Sequence, residues 1–218
     1  MYTPAHFAET RVEELHRVIT EHPLGALVHT GPGGLDANHL PFLLDPAPAP
    51  HGKAPQGTLL AHVARANALW QEVTDGAPVL VIFRAANAYI SPNWYPSKPE
   101  THRHVPTWNY QAVHVHGTLH LRHDAPFLRG VVGRLTHHHE RRSAQPRPWK
   151  MTDAPRDYLA QMLDAIVGIE VRITRLEGKW KLGQNRETRD RGGAADGLER
   201  LGETLTAEAM RDAMGRTP

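Results

Sequence analysis

A chain of 218 residues with 40% hydrophobic and 22% charged side chains is long enough to bury a core, and lacks the composition of a disordered chain. A net charge of +2 with a pI near 9.0 is weak support for nucleic-acid binding. The absence of cysteine excludes disulfides, thiolate catalysis and Cys-ligated zinc or iron-sulfur clusters.

The N-terminal stretch MYTPAHFAETRVEEL carries acidic residues and no apolar core of signal-peptide length. Nowhere does the chain run apolar for the ~18 residues that cross a bilayer, so the expectation is a cytoplasmic protein with no membrane partner. From about Thr10 to Glu21, Val12, Leu15, Val18 and Ile19 recur at helical spacing until His22-Pro23 ends the run. LGALVHT, the turn residues GPGG and LDANHLPFLLD then read as a hairpin, with Pro41 implying an edge position or a bulge. Pro46 to Gln56 is a Pro/Ala-rich exposed loop.

Beyond it, GTLLAHVA reads as a strand, ANALWQEVTDG as a short helix and APVLVIFR as a buried strand. A run from Tyr89 to Tyr110 holds Tyr89, Trp94, Tyr95, Trp108 and Tyr110, half of the Trp and Tyr residues in the chain. Such rings are favoured at ligand pockets and subunit interfaces, although a rigid aromatic loop packed on its own sheet is the plainer reading. In QAVHVHGTLHLRH, Val113, Val115, Leu119 and Leu121 alternate with His114, His116, Thr118 and His120, so one face is core. Two helical stretches follow, from about Ala125 to Glu140 and Pro155 to Ile166, then the strand IVGIEVRITRLEGKWKL with a turn at Gly178, then a charged helical tail. Short hairpins and only occasional helices argue for a mainly β, antiparallel barrel with peripheral helices, an α+β arrangement.

Three constellations carry chemistry. In AHVARANALW, a strand ends at an Arg and a helix begins near Asn67, which gathers a guanidinium, an amide side chain and backbone N-H groups into a usable phosphate site. Equally, Asn67 caps the helix and Arg65 pairs at the surface. The sixteen histidines include His114, His116, His120 and the run His137-His138-His139, but no HExxH or cysteine supports a metal, and none is assigned. Arg129, Arg134, Arg141, Arg142, Arg147 and Lys150, offset only by Glu140, form a basic stretch that reads as a solvated helix face or as a contact for DNA phosphates. Neither GxGxxG nor GxxxxGK[ST] occurs, and no catalytic nucleophile can be singled out.

Read together, NHLPFLLD, GTLLAHVARANALW, AYISPNWYPSK, VPTWNYQAVHVHG and WKLGQNR resemble the PaiB family of FMN-binding negative transcriptional regulators, with PETHRH as an insertion between WYPSK and VPTW. The resemblance implies an FMN-binding split β-barrel, with a domain at 1–186 carrying an N-terminal helix and inserted helices at about 125–166, and a helical tail at 187–218. It implies a homodimer with FMN at the subunit interface and DNA as a partner. The implied flavin contacts are Asn38, His39, Leu40 and Pro41 on one strand, and His62, Arg65, Ala66 and Asn67 on its neighbour. Lys98, Trp108, Tyr110, Gln184 and Arg186 complete the set, some from the partner subunit. A small flavin-dependent oxidoreductase with a small-molecule redox partner, and a haem- or metal-binding split barrel, remain the alternatives.

Overall fold

The computed structural model describes residues 1–47 and 56–215, so most of the Pro/Ala-rich loop expected at 46–56 lies outside the described residues. The described strands form one sheet. In chain order they are β1 (Ala8–Glu9), β2 (Leu24–Gly31), β3 (Gly34–Pro41), β4 (Leu43–Asp45), β5 (Thr58–Ala64), β6 (Ala77–Ile90), β7 (Thr107–Arg122) and β8 (Ile166–Lys181). The sheet order is β3-β2-β6-β7-β8-β5-β4, with β1 paired to β8, and every pairing with a defined register is antiparallel. The helices are α1 (Val12–Glu21), α2 (Leu69–Glu72), α3 (Lys98–Thr101), α4 (Ala125–Arg142), α5 (Arg156–Asp164), α6 (Thr188–Arg200) and α7 (Thr204–Gly215).

The expected hairpin is present. Gly31 pairs with Gly34 across the two-residue turn Pro32-Gly33, and Gly34 adopts a φ of 103° that a side chain would oppose. Pro41 ends β3 at an edge of the sheet, where a missing N-H costs no ladder bond. Three expectations change. β6 runs on to Ile90 and β7 starts at Thr107, so Tyr89, Trp108 and Tyr110 stand on strands and the connecting segment is only 91–106. Buried Asn109 and Gln111 interrupt the apolar alternation that would have shown this, while Thr, Trp and Tyr are good strand formers. Gly178 is not a turn: it lies inside β8 opposite Glu9, and a Cβ there would strike the Leu15 side chain and the Glu9 backbone. Val12, expected on the buried stripe of α1, is exposed.

The chain divides into two compact units. Unit 1 comprises Met1–Leu15, Arg84–Val113 and Glu177–Pro218, and unit 2 comprises His16–Phe83 and His114–Leu176. Helices α6 and α7 belong to unit 1 together with the 91–106 segment. In unit 2, Leu27, Leu59, Phe83, Val115, Leu119 and Ile169 are fully buried, each contributing about 1.5–3 kcal/mol before entropy is charged against it. Leu128, Val131 and Leu135 are the buried stripe of α4, and the latter two cluster with Leu60. Asp124 caps that helix by accepting from the Phe127 N-H at 2.9 Å. In unit 1, Ile90, Leu182, Leu198 and Met210 are buried.

Candidate functional site

Within unit 2, the two segments expected to hold a phosphate do meet. Asn67 Nδ2 donates to Asn38 Oδ1 at 2.8 Å, joining the turn after β5 to β3. Leu40 is buried, Asn38 is half-buried, and His39 and Pro41 are exposed on the same strand. Asn67 Oδ1 in turn accepts from the Leu69 N-H at 2.9 Å, an Asx-type turn that leads into α2. That helix has only four residues and offers little dipole at its N-terminus.

Arg65 is largely committed to the fold. Its Nε donates to the Asp164 carbonyl at 2.8 Å and its Nη2 to the Ile166 carbonyl at 3.0 Å, while the guanidinium lies 5.8 Å from the Trp70 ring centroid. The Trp70 indole N-H closes the corner on the Arg65 carbonyl at 2.9 Å. Two of the five Arg65 N-H groups are used by the two carbonyls, and Nη1, with no bond among the described residues, keeps its two N-H donors free to point outward. Ala66 is exposed between them. His62, half-buried on β5, has its Nδ1 buried without a partner among the described residues, and burial lowers its pKa, which favours the neutral ring.

Within unit 1, Tyr89 and Trp108 are both about half exposed and stack edge to face at 6.4 Å. Lys179 places its ammonium 5.4 Å from the Tyr110 ring centroid and donates to the Tyr2 carbonyl at 2.8 Å. Lys181 donates to Thr107 Oγ1 and to the Trp108 carbonyl, and burial, then the charges of Lys179 and Arg186, lower its pKa. Lys98 donates to Asn93 Oδ1 at the rim of an open cleft of about 470 Å³ lined also by Trp94, Tyr95, Pro96 and Pro99. Gln184 is used within its own turn: its amide donates to the Trp180 carbonyl at 2.6 Å and its oxygen accepts from the Leu182 N-H at 2.8 Å.

Arg186 leads into a network that sequence reasoning missed. Its guanidinium lies 5.5 Å from the Tyr95 ring centroid, and Nη1 donates to His104 Nδ1 at 3.4 Å. A ring nitrogen that accepts carries no proton, so Nε2 carries it and donates to Ser97 Oγ at 2.9 Å. Ser97 Oγ donates to Asp190 Oδ2 at 2.6 Å, and the Ser97 backbone N-H donates to Oδ1 at 3.0 Å. Ser97 and Asp190 are both buried. Burial alone would push the Asp190 carboxyl up; the two bonds from Ser97 and the nearby His104 and Arg189 outweigh it and hold the pKa below its ordinary value.

Serine, histidine and aspartate are thus in contact without forming a nucleophile. The hydroxyl proton is directed at the Asp190 carboxylate and the imidazole donates to the hydroxyl oxygen, the reverse of the serine-to-histidine bond of a catalytic triad. The arrangement is a clasp. The inserted PETHRH segment forms most of α3 and the turn after it, and Arg189 of α6 grips Glu100 through two bonds of 2.6 Å. Gly193 and Gly197, one turn apart on α6, let the Trp94 backbone and ring lie directly against the helix. The i, i+4 glycine pair in GGAADG was the available sequence signal, because glycine inside a helix costs about 1 kcal/mol unless something needs the space.

The family described as "Putative FMN-binding domain" matches residues 1–175. A protein of Aspergillus fumigatus is 34% identical over 240 residues, covering 93% of this chain and 92% of the relative. Protease synthase and sporulation protein PAI 2 of Bacillus subtilis is 30% identical over 190 residues, covering 87% and 85% respectively. Among solved structures, the FAD and heme binding protein from Mycobacterium smegmatis aligns with a TM-score of 0.52 at 18% identity, over 81% of this chain and 74% of that one, a likeness of fold. The expected antiparallel sheet with peripheral helices is the split-barrel arrangement, and a chain matched over 1–175 with relatives at this identity belongs to the FMN-binding split-barrel family of PaiB type, whose cofactor is FMN.

Proposed function

We propose that this protein is a homodimeric FMN-dependent regulator in which the corner formed by Asn38, His39, Leu40, Pro41, His62, Arg65, Ala66 and Asn67 receives the phosphate and ribityl chain. The observation that carries this reading is the Asn67-Asn38 hydrogen bond, which unites two segments that are 29 residues apart and both belong to the family pattern. The residues fit the group. FMN phosphate carries close to two negative charges and needs a few well-placed donors; Arg65 Nη1 and the exposed His39 can supply them. His62 Nδ1, buried and without a partner among the described residues, suits a ribityl hydroxyl. When bound, the flavin supplies one- and two-electron chemistry, and the protein supplies position and electrostatics.

Lys98, Trp108, Tyr110 and Arg186 are proposed to meet the flavin in the dimer, with Gln184 shaping the turn that carries Arg186. The exposed Tyr89-Trp108 pair is a surface that a second copy would cover. The name of the Bacillus subtilis relative concerns protease synthesis and sporulation, which accords with a regulatory role; DNA as partner and FMN occupancy as the signal are part of the proposal.

The test is an FMN titration followed by visible absorbance, with sedimentation and DNA binding measured with and without the flavin. The expected result is micromolar or tighter FMN binding by a dimer. Arg65→Gln is expected to weaken FMN by about 1.5–3 kcal/mol, the range for a hydrogen bond to a charged group, with thermal stability recorded alongside because two backbone carbonyls lose their donor. No FMN binding would end the reading. DNA affinity indifferent to FMN, together with rapid flavin reduction by a nicotinamide, would favour an oxidoreductase.

A further inference from the structure

The second half of α4 lines an open cleft of about 670 Å³ that the flavin reading does not use. Its walls are Arg134, His137, His138, Arg141 and Arg142, and its floor includes Leu43 of β4 and Gly133. Arg134, His137, His138 and Arg141 stand at i, i+3, i+4 and i+7, so they form one stripe, while Leu128, Val131 and Leu135 are buried on the adjoining face of the helix. Arg134 is paired with Asp45 at 3.3 Å. Among the described residues, Arg141 and Arg142 have no carboxylate partner. Glu140, the one acidic residue within α4, instead accepts the Trp149 N-H at 2.9 Å.

Arg142 is felt by two imidazoles. His139 has its pKa lowered by burial first, then by His138 and Arg142, and His22 is lowered by burial first, with Arg17 and Arg142 adding to it against Glu21. A concentration of positive charge around a concave surface attracts anions more strongly than the same charges spread on a convex one. Complementing the partial negative charge at the C-terminus of α4 accounts for cations in its last turn, but that effect fades within the turn. It leaves His137 and His138, and the apolar floor, unaccounted for.

We propose that this cleft is a second anion site, distinct from the FMN corner, that binds a phosphorylated small molecule of nucleotide size. Its volume lies in the usual range for such ligands, roughly 300–1,000 Å³. The two free guanidinium forks match phosphate oxygens in pairs, and Leu43 and the Gly133 backbone give a flat organic group a surface to lie on. The concavity fits a compact phosphorylated ligand better than a duplex.

Calorimetric titration of the full chain with inorganic pyrophosphate, ADP and adenosine, at an ionic strength of about 0.15 M, tests this. ADP is expected to bind saturably, pyrophosphate more weakly and adenosine not at all. The R141Q/R142Q double variant changes two exposed side chains and should keep its melting temperature and its FMN titration. It is expected to lose ADP at least about tenfold, since each charged hydrogen bond is worth roughly that much. ADP binding unchanged in the double variant would overturn the proposal, as would a wild-type chain that binds neither phosphate probe or that binds duplex DNA alone. If FMN affinity fell together with ADP affinity, the cleft would be part of the flavin site and the second site would not exist. Failure of FMN binding in the wild type, with ADP binding intact, would instead strike only the flavin reading.

Discussion

The segment from Pro92 to His104 and the last turns of α4 are both rich in charge, yet they use it in opposite ways. In the first, Glu100, Ser97 and His104 find partners in Arg189, Asp190 and Arg186 at and before the start of α6, and the pairs pin an insertion against that helix. In the second, Arg141 and Arg142 line a cleft with no carboxylate facing them among the described residues. Charge that is paired and partly buried shapes the fold; charge left facing a concavity is available to a ligand. Counting charges along the sequence cannot separate these cases, because both segments look equally polar.

Gly197→Leu should break the first region most severely, since its side chain would occupy the space of the Trp94 ring; a loss of about 3 kcal/mol or more is expected in chemical denaturation, with residual folded protein still binding ADP. A variant as stable as the parent would show that Trp94 can swing away at little cost. Next in size, Asp190→Ala removes the acceptor for two buried donors of Ser97 and is expected to cost about 2–3 kcal/mol.

The same carboxylate sets a pH dependence. Its pKa is depressed in the folded state, so its contribution to stability is complete above the unfolded value of about 4 and is lost as pH falls through the lower folded value. Melting temperature followed from neutral to strongly acidic pH should show this decline, and Asp190→Asn should flatten that part of the curve; identical curves would remove Asp190 as its source. Smallest of all, Arg189→Ala breaks an exposed pair with Glu100 and should leave the melting temperature almost unchanged, because water screens exposed charges well. A large fall would mean that the insertion depends on that pair rather than on the Ser97-Asp190 bond.

Much of the scaffold was legible. Apolar spacing located α1 and α4, the GPGG turn located the β2-β3 hairpin, and alternation located β7 from Gln111 onward. Its first residues were not legible, because Asn109 and Gln111 are polar and buried, which pattern reading interprets as loop. At the candidate site, the segments holding Asn38 and Asn67 were identified and do touch. What sequence could not reveal was that Arg65 gives two of its three nitrogens to backbone carbonyls about a hundred residues away, or that Asp190 would be the acceptor for Ser97 across 93 positions. Long-range bonds between polar groups leave no periodic trace.

The match to the FMN-binding family stops at residue 175, within β8, which continues to Lys181. Cutting the gene there would remove the stretch of β8 that pairs with β1, the helix that receives Trp94 and the carboxylate that holds Ser97. The stretch matched by the family is therefore not a unit of expression, and fragments for laboratory work or domain exchange should retain the chain through α7.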